Sequence, residues 1–490
     1  MPSKPHLVLF NPDQWRGDVL GHVGNPAAVT PNLDRLVRTD AVSFRNAFCQ
    51  NTVCTPSRCS FMSGWYPHVR GHRIMHYMMR PDEPVLLGDL KEAGYFVWWG
   101  GKNDLIPADA DLDKYCDVRY RPSKPVRPGL HDRTEWRGDP GEDTYYSFFA
   151  GRLEPCEEGV LADRDWANVH GAVERIRNHP PDRPLCVYLP LGYPHPPYGV
   201  EEPWYGMIDR DRLPDRIPTP EGWAGKPAAL RAVAEAQGMT GWGEQRWTEL
   251  RATYYGMCAR VDHQFGLVID ALREAGMYDD TAILFFADHG DFTGDYGLVE
   301  KTQNTFEDCL SRVPLVVKPP SDVPVRPRVC DGLAELIDVP ATVYELTGIE
   351  PRHWHFGRSL LPAVAGETEE HRDAVFCEGG RLLGEGHCRE AQSVEPYADP
   401  AESQYWPRLR TQLAEGPEHG KAVMCRTKRH KYVRRLYEND ELYDLCMDPR
   451  ELDNRSDDPA LSDVRQALTE RMLTWFVETA DVVPFEQDER

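Results

Sequence analysis

Four short apolar runs, each stopping at a cluster of glycine, proline and polar or charged residues, constrain this chain more than any other feature. The first, from His6 to Phe10, ends in Asn11-Pro12-Asp13-Gln14. Residues 95–99 run into Gly100-Gly101-Lys102-Asn103-Asp104 and residues 185–191 into Gly192-Tyr193-Pro194-His195-Pro196-Pro197. Residues 281–287 run into Asp288-His289-Gly290-Asp291. Such runs read as buried strands that deliver polar residues at their carboxyl ends. Helical patterns lie between them, notably over residues 247–275, where apolar positions recur every three and four. Strands alternating with helices predict an α/β fold with a large, mostly parallel central sheet. Ligands bind such sheets outside the carboxyl ends of the strands, so the four clusters are expected to meet along one edge.

The later sequence changes character. After about residue 370 short alternating stretches, at residues 373–376, 422–425 and 431–433, precede a helical pattern over 461–477. This predicts a catalytic domain over 1–370 and a smaller α+β subdomain over 371–490. Segments 105–160, 200–243 and 380–420, rich in proline, glycine and charge, read as long loops over the active-site edge. The tail 481–490 reads as packed or exchanged between copies. With a net charge of −23 the chain has no basic face for nucleic acid. No apolar run reaches membrane-spanning length. The thirteen cysteines show no disulfide or zinc spacing, and residues 1–6 show no signal-peptide pattern. The expectation is a cytoplasmic protein with reduced thiols, possible as a homo-oligomer.

Cys54-Thr55-Pro56-Ser57-Arg58 carries the strongest chemical signal. Pro56 suits the first turn of a helix, which would set Cys54 at the helix's positive end, where a thiol is acidified and anions bind. Arg58, one turn on, is then expected to clamp an oxyanion. Asp13 and Gln14 end the first run and Asp288 and His289 the fourth. Three oxygen-bearing side chains and an imidazole can hold a divalent cation. Adjacent strand residues point to opposite faces, so two neighbouring ligands need a turn, for which Pro12 and Gly290 are suited.

Cys-x-Pro-Ser-Arg, followed by an apolar residue and Ser63-Gly64, resembles the signature of the type I sulfatases, within the alkaline phosphatase superfamily. Thr30-Pro31-Asn32-Leu33-Asp34-Arg35-Leu36 resembles that family's first helix. Asp440-Glu441-Leu442-Tyr443-Asp444-Leu445 with Asp448-Pro449 resembles its C-terminal region. The resemblance implies an alkaline phosphatase-like fold and oxidation of Cys54 to formylglycine, whose hydrate is the nucleophile, by a formylglycine-generating enzyme. It implies one divalent cation, Ca²⁺ first, with Mn²⁺ or Mg²⁺ as alternatives, on Asp13, Gln14, Asp288, His289 and position 54. Lys102 and Lys301 match the family's sulfate-holding lysines, and His195 its substrate-side histidine and leaving-group acid. Asp-Gln with Asp-His looks most like the choline-sulfatase and phosphonate-monoester-hydrolase branches.

One departure stands out: Asp104 occupies the position where the family commonly has the histidine that helps eject sulfate. Asp104 is either that base or a recognition group for a cationic or hydroxyl-bearing substrate. His72 or His76 are alternatives for the base, and His72 and Arg73, with Arg70, are expected near the substrate. The reading is hydrolysis of an organic sulfate monoester, a sulfated sugar or another alkyl or aryl sulfate. A phosphonate monoester or phosphodiester hydrolase on the same scaffold, and a silent anion- or glycan-binding homologue, are the alternatives.

Overall fold

The computed structural model describes residues 4–122, 125–487 and 489; the expectations for residues 1–3 and for positions 488 and 490 of the tail lie outside them. In chain order the strands are β1 (His6–Asp13), β2 (Val42–Phe48), β3 (Phe96–Trp99), β4 (Val118–Arg119), β5 (Phe149–Leu153), β6 (Leu185–Pro194), β7 (Tyr198–Glu201), β8 (Thr281–Phe286), β9 (Arg312–Val313), β10 (Leu315–Lys318), β11 (Arg328–Glu335), β12 (Val375–Gly379), β13 (Ala422–Arg426), β14 (His430–Arg435) and β15 (Glu441–Asp444).

A nine-stranded sheet in the order β11-β2-β10-β8-β1-β6-β3-β4, with β9 paired to β2, forms the centre. The four runs singled out in the sequence are its contiguous middle strands, β8-β1-β6-β3, and they pair with one another in parallel. Their carboxyl ends therefore lie on one edge, as expected. Leu7 to Phe10 and Thr281 to Phe286 are buried throughout rather than alternately, which is the pattern of a strand covered on both faces. The helices Arg164–Arg177 and Glu244–Glu274 pack on each other and on β6, and Cys54–Ser63 packs on Asp338–Thr347. The expected loop segments 200–243 and 380–420 carry short helices, Ala228–Gln237 and Trp406–Leu413.

The sequence resembling a first helix is Pro31–Thr39, and the buried Asp262 holds its start. One Asp262 oxygen accepts from Leu33 N and the other from Asn32 N and Nδ2. These donors are the orphan amides of a helix N-terminus.

Strands β12 to β15 form a separate antiparallel sheet covered by the helix Ser462–Thr479, whose Trp475 stacks on Phe376 with ring centroids 4.5 Å apart. Charge ties this sheet to the catalytic side. Lys431 of β14 reaches Asp308 at 2.6 Å and also Glu451, Arg426 of β13 reaches Asp308 at 3.1 Å, and Arg435 donates to the Asn304 carbonyl at 2.9 Å. Beyond the last helix Val483 and Phe485 stand exposed, so this part of the tail is not packed onto its own chain.

Candidate active site at the carboxyl edge of the sheet

The ends of β1 and β8 each abandon strand geometry, and this lets two successive residues serve one site. Pairing of β1 with β6 slips between Pro12 and Asp13, and Gln14 adopts a left-handed φ of 67°. Its N–H then donates to Asp288 Oδ1 at 3.0 Å and its carbonyl accepts from the Tyr254 hydroxyl at 2.8 Å. Gly290 is required for closeness rather than for a left-handed turn. A Cβ there would lie 2.0 Å from the Cys309 carbonyl oxygen, which accepts from Asp291 N at 2.9 Å.

The helix Cys54–Ser63 begins at the same edge, and all ten of its residues are buried, so it has no polar face. It starts at Cys54 itself, with Val53 as its cap; Pro56 sits later in the first turn, where its missing N–H is still one of the orphans. Ligand atoms of Asp13, Cys54, Asp288 and His289 all lie within 4.8 Å of one another. Cys54 Sγ is 3.2 Å from His289 Nε2 and 3.6 Å from Asp13 Oδ1. His289 Nδ1 lies 2.9 Å from the Gly290 carbonyl, an acceptor only, so Nδ1 carries the proton and the Nε2 lone pair faces the cluster. That backbone bond is the usual second support of a metal-binding histidine. Two carboxylates and an imidazole with its free nitrogen turned inward fit a divalent cation.

Two expectations are corrected here. Burial and the neighbouring Asp13 push the Cys54 thiol up to about 12, so the helix terminus does not acidify it. Arg58 does not await an oxyanion: it is wholly buried, with Nη2 2.9 Å from Asp13 Oδ2 and 2.8 Å from Asp288 Oδ2, and Nη1 2.9 Å from Asn11 Oδ1. It bridges the two carboxylates from beneath. Burial opposes the ionisation of Asp13, but Lys102 and Arg58 outweigh it and hold the carboxyl well below its usual range.

Above this floor stand the cations. Lys102 Nζ lies 2.7 Å from Asp13 Oδ2, 2.8 Å from Asp104 Oδ2 and 3.6 Å from Cys54 Sγ. Asp104 is thus brought into the site, in a left-handed conformation with φ 37°. Lys301 Nζ lies 2.6 Å from Gln14 Oε1, 2.8 Å from His195 Nε2 and 2.9 Å from Glu300 Oε1. His195 Nδ1 is 2.6 Å from the Pro196 carbonyl, so Nε2 is an acceptor toward Lys301. Burial, then Lys301 and Lys102, keep the imidazole neutral, well below its usual pKa. As it stands His195 has no proton on Nε2 to donate, contrary to the simple expectation of a leaving-group acid.

His72 and Arg73 do not join the site. His72 is buried between the Tyr77 carbonyl, 2.8 Å from Nδ1, and Glu83, 2.9 Å from Nε2. Burial opposes its charge, but Cys59 and Glu83 outweigh it and raise the ring to about 10. Arg73 is taken up by Glu385 at 2.8 Å and the Gly380 carbonyl at 2.9 Å, Arg70 by Asp82 and Glu83, and His76 by Ser393. These side chains fasten the region around residue 72 to its neighbours instead of facing a substrate.

Several residues at the site escaped the sequence reading. Asp291, three places after Asp288 in a quoted cluster, accepts from Gln14 Nε2 at 2.5 Å. The expected covering loops supply His131 and Tyr405, whose ring centroids lie 5.5 and 6.4 Å from that of His195. Gln404 Nε2 donates to His131 Nδ1 at 2.9 Å, which leaves the His131 proton on Nε2. No local pattern in either segment marks these residues.

Fold and site together define a hydrolytic α/β protein whose sheet edge gathers carboxylates, imidazoles and lysines about one cysteine. A family model described as Sulfatase matches residues 5–349, and the chain belongs to that family, in the alkaline phosphatase superfamily; it is a sulfuric ester hydrolase. It is 27% identical to the multifunctional alkaline phosphatase superfamily protein PehA of Trinickia caryophylli, over 98% of this chain and 96% of that one. It is 26% identical to a choline-sulfatase of Rhizobium meliloti, over 93% of this chain and 83% of the other. The solved phosphonate monoester hydrolase of Agrobacterium radiobacter has the same fold, with a TM-score of 0.72 at 23% identity, covering 99% of this chain and all of that one.

Proposed function

We propose that the protein hydrolyses an organic sulfate monoester, a sulfated sugar or another alkyl or aryl sulfate, with formylglycine made from Cys54 by a formylglycine-generating enzyme and with one divalent cation. The convergence of Asp13, Cys54, Asp288 and His289 ligand atoms within 4.8 Å carries the reading. Asp13, Gln14, Asp288 and His289 would hold the cation, Ca²⁺ first by its oxygen-rich donors, with Mn²⁺ or Mg²⁺ as alternatives. Together the cation and the hydrated aldehyde supply an acidified hydroxyl nucleophile.

The chain's own side chains do the rest. Lys102 and Lys301 receive the sulfate oxygens and hold the charge that spreads in the transition state. Arg58 holds the Asp13 and Asp288 carboxylates in place. His195, whose Nε2 accepts from Lys301, keeps that ammonium aimed at the sulfate oxygens. Asp104, beside Lys102, accepts the proton whose removal frees sulfate and restores residue 54. Hydrolysis of phosphonate monoesters or phosphodiesters is the second reading, favoured by Asp104 in place of the family's histidine and by the relatives' names.

Mass spectrometry of the tryptic peptide 46–58, from protein co-expressed with a formylglycine-generating enzyme, tests the nucleophile. Conversion lowers its mass by about 18 Da and protects position 54 from alkylation, with Cys49 as the internal control. A thiol persisting at position 54 sinks the proposal. Relative rates on 4-nitrophenyl sulfate and a 4-nitrophenyl phosphodiester then separate the two readings.

A further inference from the structure

Gln14 is a proposed cation ligand whose amide can present the wrong atom. An amide exposes either its oxygen or its nitrogen after a half-turn, and only the oxygen can bind a cation. In this chain both ends are held. Nε2 donates to Asp291 Oδ2 at 2.5 Å, and Oε1 accepts from Lys301 Nζ at 2.6 Å. A carboxylate accepts and an ammonium donates, so one orientation alone satisfies both.

Asp291 is an unusual anchor. It is fully buried, and among the described residues its carboxylate has no cationic partner within ion-pair distance. Its other bonds come from the Tyr198 hydroxyl at 2.8 and 3.0 Å, Thr293 N at 2.5 Å and Thr293 Oγ1 at 2.7 Å. Tyr198 in turn accepts from Glu300 N at 2.9 Å, which fixes the direction of its own proton. A buried carboxylate without a counter-charge costs several kcal/mol unless donors surround it. Here three neutral groups fix the carboxylate, and it spends its remaining reach on the Gln14 amide.

We propose that Asp291, oriented by Tyr198, is a positioning residue that turns the Gln14 amide oxygen toward the cation and keeps the amide nitrogen away from it. This rests on the cation reading above. It explains why an aspartate follows the Asp288-His289 pair: it serves the ligand at the end of β1, across the sheet edge.

The test is Mn²⁺ binding to the chelator-treated full-length protein, read from the spin-resonance signal of free Mn²⁺ and independent of turnover. Asp291→Ala and Gln14→Ala are each expected to weaken binding about 10- to 100-fold. Because one acts through the other, the double variant should be no weaker than the worse single variant. Asp291→Ala that binds Mn²⁺ like wild type, or losses that multiply in the double variant, overturns the inference. If Asp291→Ala does not fold, judged by circular dichroism, Tyr198→Phe replaces it in the same cycle, with an expected loss of several-fold that vanishes in the Gln14→Ala background. Tyr198→Phe with undiminished affinity is then the overturning result. Wild-type protein that takes up neither Mn²⁺ nor Ca²⁺, the latter read by calorimetry in the same cycle, overturns the cation reading and this inference with it; uptake by wild type with failure of the cycle overturns the inference alone.

Discussion

At the floor of the site Asp13, Arg58, Asp288 and His289 expose none of their side-chain surface, whereas Lys102 and Asp104 at its mouth remain 27% and 23% exposed. The floor comes from two adjacent strand ends and one helix start, each anchored in the core. The mouth comes from the segment after β3, the turn after β6 and two distant loops that bring His131 and Tyr405. The floor must hold charge in a buried place, so Asp13 and Asp288 share Arg58 as a counter-charge. The mouth must exchange substrate and product, so its groups keep contact with solvent. Substitutions at the floor should therefore damage chemistry or folding together, and substitutions at the mouth should change selectivity with the fold intact.

The largest effect is expected from Asp288→Ala. Loss of a cation ligand should lower hydrolysis of 4-nitrophenyl sulfate on the order of 10³-fold and reduce the bound metal measured by atomic emission. Full turnover with normal metal content would show that the floor is not the catalytic centre.

Arg58→Met should cost about 3–5 kcal/mol of stability, because two buried carboxylates lose their shared counter-charge. Urea unfolding reads this directly, and Lys102→Met provides the contrast, with lost activity and an almost unchanged midpoint. Equal midpoints for the two variants would erase the distinction between floor and mouth.

His72→Gln should destabilise by about 3 kcal/mol while leaving KM unchanged, since His72 serves a buried ion pair and not the substrate. The folded pKa of His72, raised to about 10, lies above the unfolded value of 6.5. Its contribution is complete below pH 6.5 and fades as pH rises toward 10, so the gap in melting temperature between variant and wild type should narrow over that range. A gap that widens with pH would contradict the assignment.

The smallest effect is expected at the mouth. His131→Ala should raise KM by about 3- to 10-fold and leave the melting temperature unchanged, as for loss of one hydrogen-bond donor to a ligand. A large fall in kcat with unchanged KM would place His131 among the reacting groups instead.

Much of the floor was legible because it depends on local pattern. An apolar run that stops at Asp13-Gln14, and another that stops at Asp288-His289, announce parallel strands with polar residues at their carboxyl ends. Pro56 announced a helix start near Cys54, yet nothing announced the direction of Arg58. That helix is buried on every side, so no polar face in the sequence says which way the guanidinium turns. His72 and Arg73 misled because positive charge near a motif looks the same in sequence whether it meets a substrate or Glu83 and Glu385. Asp291 was visible but mute, since its task depends on Tyr198 and Gln14 arriving from other strands. His131 and Tyr405 lie in segments without periodicity, where chain-distant contacts alone decide their placement.

The buried charges that tie β13 and β14 to residues 304–308 have a consequence for how such a chain can be altered. Asp308, Glu307 and Glu451 find their counter-ions in Arg426, Lys226 and Lys431, and two of those three cations belong to the C-terminal sheet. A protein trimmed to its first 370 residues would strip Asp308 of both Arg426 and Lys431, close in sequence to Lys301. A chimaera carrying a relative's C-terminal portion would meet the same difficulty wherever the grafted sheet lacked matching bases. The two parts are therefore bound to change in step, and substrate range is more safely redesigned in the loops around His131 and Tyr405 than by exchanging whole modules.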